Sequence, residues 1–283
     1  MRHNVESSDF VALRVHIAKG VATVTIDNPP LNVFDVQLIQ DLRAFVESVR
    51  DDDGIRVVVI QSADPDFFVA HGDSNVVTSP GLMARSAEGF ETGAMNYMQV
   101  LHESLRKLPQ VTIAKIAGFA RGGGLELAMA LDMRFAAIGK AQLSQPEALI
   151  DICPGGGGSQ YLTRLTGRAR AIEIILGSAL IDAELAERYG LINRALPADE
   201  LDDFVDTLAQ RIARLVPGVI EAATTSIDAS FSLPIEEGLA VENAQMMSLF
   251  TPAAVQRSVD LLARGLQTRD GEKVLEEILT GPR

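Results

Sequence analysis

The sequence predicts an α/β fold of strand–strand–helix units followed by a mostly helical C-terminal part. Three observations support this prediction. Pairs of short apolar segments precede helical patterns in the first half of the chain. The segment "IRVVVIQS" contains a continuous apolar run, as in a parallel strand that is covered on both faces. From about residue 159 onward, apolar residues recur mainly at helical spacing.

The composition limits the classes of protein to consider. The chain has 283 residues, 47% hydrophobic and 22% charged, so it can bury a sizeable core. Its formal net charge of −13 argues against a general binder of nucleic acid or of anionic membranes, although a local basic patch could hold an anionic cofactor. Cys153 is the only cysteine, which excludes an intrachain disulfide and indicates a reducing, cytoplasmic location. No apolar run reaches membrane-spanning length.

The first elements are a hairpin and a capped helix. Residues 11–17 alternate between apolar and other residues, Lys19-Gly20 can turn the chain, and "VATVTID" follows as the second strand. Asp35 is the expected N-cap of an amphipathic helix, because an Asp side chain can accept an N–H from the first helical turn. The buried strand at residues 55–62 comes next, followed by an expected loop at residues 63–73.

The middle of the chain repeats this pattern. A helical pattern covers residues 90–108 and ends at Pro109. The segment "VTIAKIAGFA" predicts one strand, and a glycine-rich joint and a helix follow it. Two further short strands are predicted in "MRFAAIG" and "AQLSQ". We therefore expect a flexible segment at residues 1–10, a core at residues 11–200 and a helical region at residues 201–283.

A run of three glycines, Gly122 to Gly124, lies between a predicted strand and a predicted helix, and Glu126 follows it. The run matches neither the phosphate-binding P-loop nor the dinucleotide fingerprint, because Leu125 and Leu127 stand where those motifs need other residues. The first N–H groups of a helix have no internal partner and favour negative charge. The joint therefore suits polarisation of a carbonyl beside a carboxylate that moves a proton. The same pattern also fits a tight strand–helix joint with a solvated glutamate.

Two further segments resemble parts of the same kind of site. Glu147 lies in "SQPEALIDICPGGGGSQYL", again next to a glycine-rich start of a helical pattern. A pair of carboxylates can divide acid and base work, although a lone glutamate is more often simply solvated. Gly72 follows the buried strand in "DFFVAHGDSN" and offers a second backbone N–H. Two N–H groups from separate strand ends can converge on one oxygen as an oxyanion hole.

The order of these motifs resembles the enoyl-CoA hydratase/isomerase (crotonase) family. The glycine triplet, the glutamate, Gln-Pro-Glu, the proline-glycine stretch and the later "GLIN" come in the family's order between about Val21 and Pro197. The resemblance implies a crotonase-like spiral of strand–strand–helix repeats, with a helical C-terminal region that supports homotrimers or dimers of trimers. It also implies an acyl-CoA thioester as substrate, with coenzyme A as part of the substrate and no permanently bound cofactor.

The resemblance assigns roles to five residues. The backbone N–H groups of Gly72 and Gly123 match the oxyanion hole. Glu126 and Glu147 match the two catalytic carboxylates of the family's hydratases, with Glu126 activating water for attack at Cβ and Glu147 protonating Cα. The N–H of Gly155 matches one that helps hold this water.

The possible substrate pocket includes Ala70, His71 and Asp151, and the last two differ from the residues that are usual in the family. His71 follows Ala70 where the family has a small residue. Its side chain either points to solvent or caps the loop, or it narrows the acyl pocket or contacts the substrate. Asp151 stands where glycine is common and either adds a third carboxylate or faces away. The four histidines show no metal-ligand spacing, so we expect no metal site.

Three functions follow from these patterns. The first is an enoyl-CoA hydratase, a lyase of fatty acid metabolism that adds water to a 2-enoyl-CoA thioester. The second is a Δ3–Δ2 enoyl-CoA isomerase, or another acyl-CoA reaction on the same fold. The third is a non-catalytic acyl-CoA-binding scaffold, which the retained glutamates and glycines disfavour. No nucleic-acid or membrane partner is expected.

Overall fold

The computed structural model describes residues 9–280, whose strands form two sheets. The strands are β1 Leu13–Ala18, β2 Val21–Ile26, β3 Val57–Ser62, β4 Phe67–Val69, β5 Val111–Ile116, β6 Phe119–Arg121, β7 Met133–Ala137, β8 Gln142–Ser144, β9 Ile181–Asp182 and β10 Arg194–Leu196. The larger sheet has the order β1-β2-β3-β5-β7-β10, and the smaller sheet has the order β4-β6-β8-β9. Strands β2, β3, β5, β7 and β10 are parallel, and β1 pairs antiparallel with β2.

Helices connect the strands and make up the C-terminal part. They are α1 Val36–Val49, α2 Asn75–Thr78, α3 Pro80–Ala87, α4 Tyr97–Arg106, α5 Gly123–Ala130, α6 Gly158–Thr166, α7 Arg168–Gly177, α8 Ala183–Tyr189, α9 Leu201–Ala213, α10 Val219–Ala229, α11 Ile235–Ser248, α12 Pro252–Ala263 and α13 Leu275–Thr280. Short 3-10 helices span Glu147–Ile150 and Gly271–Val274. None of the helices within residues 9–280 is both long and apolar enough to cross a bilayer.

The repeating unit is two strands that enter different sheets. The pairs β3/β4, β5/β6 and β7/β8 each place the first strand in the larger sheet and the second in the smaller one. The single strand predicted over residues 111–120 is therefore wrong, since β5 and β6 are separate strands. Gly118 lies at their junction, where a Cβ atom would come within 2.3 Å of the Asp66 carbonyl oxygen. Only glycine allows this close approach of two backbones.

The predicted hairpin and helix cap are confirmed. Strand β1 pairs with β2 from Leu13↔Ile26 to Ala18↔Val21. The Asp35 carboxylate accepts the N–H of Leu38 at 3.0 Å and so caps helix α1. The buried face of α1 includes Phe45, which is fully buried. Burial of a side chain of this size stabilises the fold by roughly 1.5–3 kcal/mol.

Two predicted segments differ in the structure. The helix expected over residues 90–108 begins only at Tyr97, because Asn96 and Gln99 form a capping box that starts α4 there. The loop expected over residues 63–73 contains strand β4. A three-residue strand is too short to show a period-two pattern, so sequence periodicity could not detect it.

The chain divides into two compact units, one ending at Arg214 and one beginning at Leu215. The boundary that the sequence predicts near residue 200 would group helix α9 with the C-terminal helices. Within the first unit, however, α9 packs on β2, β3, β5 and β7 of the larger sheet. Within the second unit, α10 packs against α11, and the buried side chains include Ile220 and Leu261. Of the segment predicted to be flexible, residues 1–8 lie outside the described residues.

Candidate active site

The glycine triplet forms a tight joint between β6 and α5. Gly122 has φ +50° and ψ −122°, a conformation that L side chains rarely adopt, and its N–H donates to the Ser144 carbonyl of β8 at 2.9 Å. A Cβ atom at Gly122 would also lie 2.8 Å from Glu147 Oε1. This geometry leaves Gly123 as the first residue of α5, with an N–H that has no acceptor inside the helix.

Gly72 lies beside Gly123 because Phe34 anchors the chain on the other side of it. The Phe34 N–H donates to the His71 carbonyl at 2.8 Å, and the Asp73 N–H donates to the Phe34 carbonyl at 3.2 Å. The Gly72 N–H therefore points away from Phe34, and its nitrogen lies 3.6 Å from the position of a Cβ atom on Gly123. Within residues 9–280, neither the Gly72 nor the Gly123 N–H donates to a protein acceptor. Two adjacent amides are thus available to one oxygen.

Glu126 lies in the first turn of α5 and is only 2% exposed. Its Oε1 accepts two backbone N–H groups, from Gly156 and Gly158, each at 2.8 Å. Burial raises the pKa of Glu126 to about 7, the Gly158 and Gly156 N–H groups oppose the rise, and the charge of Glu147 adds to it. The solvated glutamate that the sequence also allowed is therefore absent.

Glu147 begins the 3-10 helix that follows β8 and is partly buried. Burial raises its pKa, and its own backbone N–H opposes the rise. The Gln145 side chain, with its amide oriented by the hydrogen-bonding pattern, donates to both Glu147 carboxylate oxygens at 2.9 Å. The same Gln145 amide lies next to Glu126, because a Cβ atom on Gly158 would be 2.9 Å from the side-chain amide of Gln145 and 2.8 Å from Glu126 Oε1. In agreement with this proximity, the charge of Glu147 raises the pKa of Glu126. Glu126 and Glu147 therefore belong to one site.

Helix α4 holds the glycine-rich loop that precedes α6. The Asn96 amide donates to the Gly155 carbonyl at 2.8 Å, and His102 Nδ1 lies 2.6 Å from the Gly156 carbonyl oxygen. Because these carbonyls face α4, the Gly156 N–H faces Glu126. The N–H of Gly155 has no protein acceptor within the described part of the chain.

Asn96, His102 and Gln145 also contribute to the site, but the sequence patterns predict no role for them. The first two are isolated polar residues at the start of a helix and within it, and no local pattern distinguishes them from capping or core residues. Gln145 could have been found, because it is the first residue of the Gln-Pro-Glu motif that ends at Glu147.

The three pocket candidates behave differently. Ala70 is 1% exposed, and its N–H donates to the Asn32 carbonyl at 3.2 Å. His71 Nδ1 lies 2.8 Å from the Gly72 carbonyl oxygen, which matches the loop-capping alternative. Asp151 is exposed and has φ +61° at the end of the 3-10 helix, a conformation that explains why glycine suits this position. Across residues 9–280, no cluster of three His, Cys, Asp or Glu side chains is arranged to hold a metal ion.

The arrangement combines two chemical capacities. The paired amides of Gly72 and Gly123 can stabilise negative charge on a carbonyl oxygen. Two interacting carboxylates, one of them with a pKa of about 7, can exchange protons near neutral pH. Together they suit a reaction in which a carbonyl compound passes through an enolate while protons move at neighbouring atoms.

Comparisons with known proteins agree with this description. A family model described as enoyl-CoA hydratase/isomerase matches residues 16–267. A Mycobacterium bovis protein assigned as an enoyl-CoA hydratase is 31% identical over 242 residues, which are 85% of this chain and 90% of the relative. A crystal structure from Streptomyces avermitilis, assigned as an enoyl-CoA hydratase, is 45% identical with a TM-score of 0.75, covering 95% of this chain and 97% of the other.

A second solved structure supports the fold. An enoyl-CoA hydratase from Bacillus anthracis is 25% identical with a TM-score of 0.80, covering 90% of this chain and 96% of the other. The predicted crotonase-like spiral is therefore confirmed, and the family match covers most of the chain. The chain belongs to the enoyl-CoA hydratase/isomerase family.

Proposed function

We propose that the protein is an enoyl-CoA hydratase that adds water across the double bond of a 2-enoyl-CoA thioester. The observation that carries this proposal is the pair of interacting carboxylates, Glu126 and Glu147, beside the two free amides of Gly72 and Gly123. Coenzyme A enters and leaves as part of the substrate, and the reaction uses no permanently bound cofactor.

The amides of Gly72 and Gly123 bind the thioester oxygen. Water adds at Cβ only if electron density can move onto this oxygen and form an enolate. The two N–H groups stabilise that charge, and each such donor typically contributes about 3–4 kcal/mol to the transition state. Because both amides belong to tightly held backbone, they need little reorganisation as the charge develops.

The two glutamates divide the proton transfers. Ionised Glu126 takes a proton from water, and the resulting hydroxyl group bonds to Cβ. Glu147 begins the turnover protonated and gives its proton to Cα as the enolate electrons return, so the product is a 3-hydroxyacyl thioester. The proton that Glu126 took from water passes back to Glu147 before the next turnover. A pKa of about 7 for Glu126 suits a general base that works near neutral pH. The Gly155 N–H helps to hold the attacking water.

Hydration of crotonyl-CoA tests the proposal, because loss of the conjugated double bond lowers the ultraviolet absorbance. We expect Glu126→Gln and Glu147→Gln each to slow the reaction at least about 100-fold. Glu187→Gln changes an exposed glutamate of α8 and is the matched control, with the wild-type rate expected. If both site variants kept the wild-type rate, the assigned roles would be wrong.

The same assay separates the alternative reactions. A Δ3–Δ2 isomerase would need only one carboxylate to shuttle a proton, and Glu147, whose pKa burial raises beside Gly122, is suited to that task. A 3-enoyl-CoA would then gain absorbance while crotonyl-CoA stayed unchanged. Inertness toward both thioesters with retained coenzyme A binding would instead indicate a scaffold.

Assembly as a homotrimer or a dimer of trimers is also proposed. The unit from Leu215 onward has several large apolar side chains in contact with solvent, including Phe231 and Ile235, each 68% exposed, and Phe250, 64% exposed. Apolar surface of this kind is typical of protein–protein interfaces. Light scattering coupled to size-exclusion chromatography should give a mass of three or six chains of 30.4 kDa.

A cytoplasmic location is part of the proposal. The single cysteine, Cys153, is exposed and unpaired, so the fold does not depend on an oxidising compartment. Cell fractionation with an antibody against the protein would test this, and recovery in a membrane or secreted fraction would contradict it.

A further inference from the structure

His102 lies against the proposed base but takes no part in the chemistry described above. It is fully buried in α4, and its ring stacks on Phe34 with 5.8 Å between ring centres and 4° between planes. The position of a Cβ atom on Gly156 is 3.0 Å from His102 Cε1 and 2.5 Å from Glu126 Oε2. His102 and Glu126 therefore adjoin the same glycine.

The hydrogen bonds of His102 define its tautomer. Nδ1 faces the Gly156 carbonyl oxygen at 2.6 Å, and a carbonyl only accepts, so the proton lies on Nδ1. Nε2 is then a bare acceptor, and it is buried without a partner in the described residues. Burial lowers the pKa of His102 to about 4, so the ring is neutral in the working range of the enzyme.

Stability alone does not explain a histidine at this position. A buried acceptor without a partner costs at least as much free energy as one ordinary hydrogen bond returns. A phenylalanine could keep the stacking on Phe34 and would leave no acceptor unpaired. The hydrogen bond to Gly156 is the one contact that only a donor such as His102 can make there.

The bond to Gly156 affects where a neighbouring amide points. Asn96 holds the carbonyl of Gly155 and His102 holds the carbonyl of Gly156, so both peptide groups that flank the Gly156 Cα are anchored to α4. The backbone of a glycine rotates easily about its N–Cα and Cα–C bonds unless the neighbouring peptide groups are held. With both carbonyls fixed, the Gly156 N–H is directed at Glu126 Oε1 at 2.8 Å.

We propose that His102 is a positioning residue for the base Glu126, acting through the Gly156 carbonyl, which it holds on the C-terminal side of the Cα atom whose N–H donates to Glu126. This inference rests on the proposed hydratase function. Its specific consequence is that the neutral imidazole supports the ionised form of Glu126 without carrying charge itself. Loss of the Nδ1–H donor should loosen the Gly156 N–H, destabilise the carboxylate and raise the pKa of Glu126.

Other groups around Glu126 stay constant in this comparison. Glu147 faces it from the 3-10 helix and raises its pKa. Tyr161 faces it from α6, and the Tyr161 hydroxyl donates to Glu103 of α4 at 2.8 Å. Tyr161→Phe removes that bond between α4 and α6 and leaves the Gly156 carbonyl bond intact, so it is a matched control.

The test compares three substitutions by the pH dependence of crotonyl-CoA hydration. His102→Phe keeps the aromatic ring without a donor. His102→Asn places an amide donor near the position of Nδ1, and His102→Gln places one near Nε2. The acid midpoint is the pH below which kcat/KM falls to less than half of its maximum. We expect this midpoint to rise by about half a pH unit or more in the Phe and Gln variants, and to return toward the wild-type value in the Asn variant.

The rates provide a second readout. We expect kcat to fall about tenfold in the Phe and Gln variants with KM changed less than about twofold, because Glu126 acts on water and not on substrate binding. A merely structural role would lower the amount of folded enzyme without moving the midpoint. If His102→Phe does not fold, the Gln and Asn variants, both polar, carry the comparison.

Two results would overturn the inference. One is a wild-type acid midpoint in both the Phe and the Gln variants. The other is an acid midpoint in the His102→Asn or the Tyr161→Phe variant that shifts as far as it does in the Phe and Gln variants of His102. Loss of activity in Glu126→Gln would still support the proposed function in either case, so the two proposals fail separately.

Discussion

Gly156→Ala places a methyl group against the carboxylate of Glu126. The new Cβ would lie 2.5 Å from Glu126 Oε2 and 3.0 Å from both Glu126 Cδ and His102 Cε1. Real Cβ atoms essentially never come within 3.0 Å of another heavy atom, so something must move. The His102 ring is held by its stacking on Phe34, whereas the Glu126 carboxylate is the end of a flexible side chain, so the carboxylate is the group that is displaced.

The size of the displacement sets the expected effect. Ordinary contact begins at 3.4 Å, so Oε2 must retreat by about 1 Å, and the Gly156 N–H···Oε1 hydrogen bond of 2.8 Å is stretched or lost. A misplacement of about 1 Å can cost on the order of 10²-fold in rate. A hydrogen bond to a charged group contributes roughly 1.5–3 kcal/mol. We expect kcat to fall about 100-fold and the free energy of unfolding to fall by about 2 kcal/mol.

Crotonyl-CoA kinetics and urea unfolding at pH 8 measure both effects. Gly177→Ala is the matched control, because a Cβ atom there has no neighbour within 4 Å and Gly177 lies in a helix. We expect this control to keep the wild-type kcat and to change stability by less than about 1 kcal/mol. A Gly156→Ala enzyme with wild-type kcat would refute the packing argument.

Three further predictions follow from the same geometry. Because the pKa of Glu126 rises from 4.5 in the unfolded chain to about 7 in the native state, the native state binds more protons than the unfolded state between about pH 4.5 and pH 7. Ionisation of Glu126 therefore destabilises the fold as the pH rises through this range. Thermal unfolding should therefore find Glu126→Gln more stable than wild type at pH 8, by at most about 3 kcal/mol, with no difference near pH 4. Gly72→Ala keeps the N–H and has open space for its methyl group, so this variant should retain activity. Gly72→Pro deletes the donor and should lower kcat about 10²–10³-fold. If the two variants were equally active, Gly72 would not belong to the oxyanion hole. Gly124→Ala would bring a Cβ within 2.4 Å of the Val69 carbonyl oxygen. Urea unfolding should show that this variant is less stable by about 1–3 kcal/mol. An unchanged free energy of unfolding would contradict the close packing of α5 on β4.

Much of the fold and of the site was predictable from local patterns. The hairpin follows from alternation over six-residue strands, and the start of α1 follows from the chemistry of Asp35. The glycine triplet with Glu126 marked a strand–helix joint, because a tight joint and a helix start depend only on neighbouring residues. The family resemblance then carried the distant residues Gly72 and Glu147 to the same site.

Local patterns failed where elements are short or where partners are distant. Strands β4 and β6 have three residues each, too few for a periodicity to show, and the chain passes from β5 to β6 through Gly118 without a polar break. Helix α4 starts late because of a capping box that the apolar pattern does not reveal.

The sequence by itself determined which residues are available, the β1–β2 hairpin and the start of α1, since these depend on residues a few positions apart. Only the tertiary structure decided the charge state of Glu126, because burial raises its pKa while amides 30 and 32 residues away lower it. Whether the pKa rises or falls depends on distances that arise only when the strand–strand–helix repeats pack against each other. The same packing directs His102 at Gly156, 54 residues away, which no local pattern could indicate.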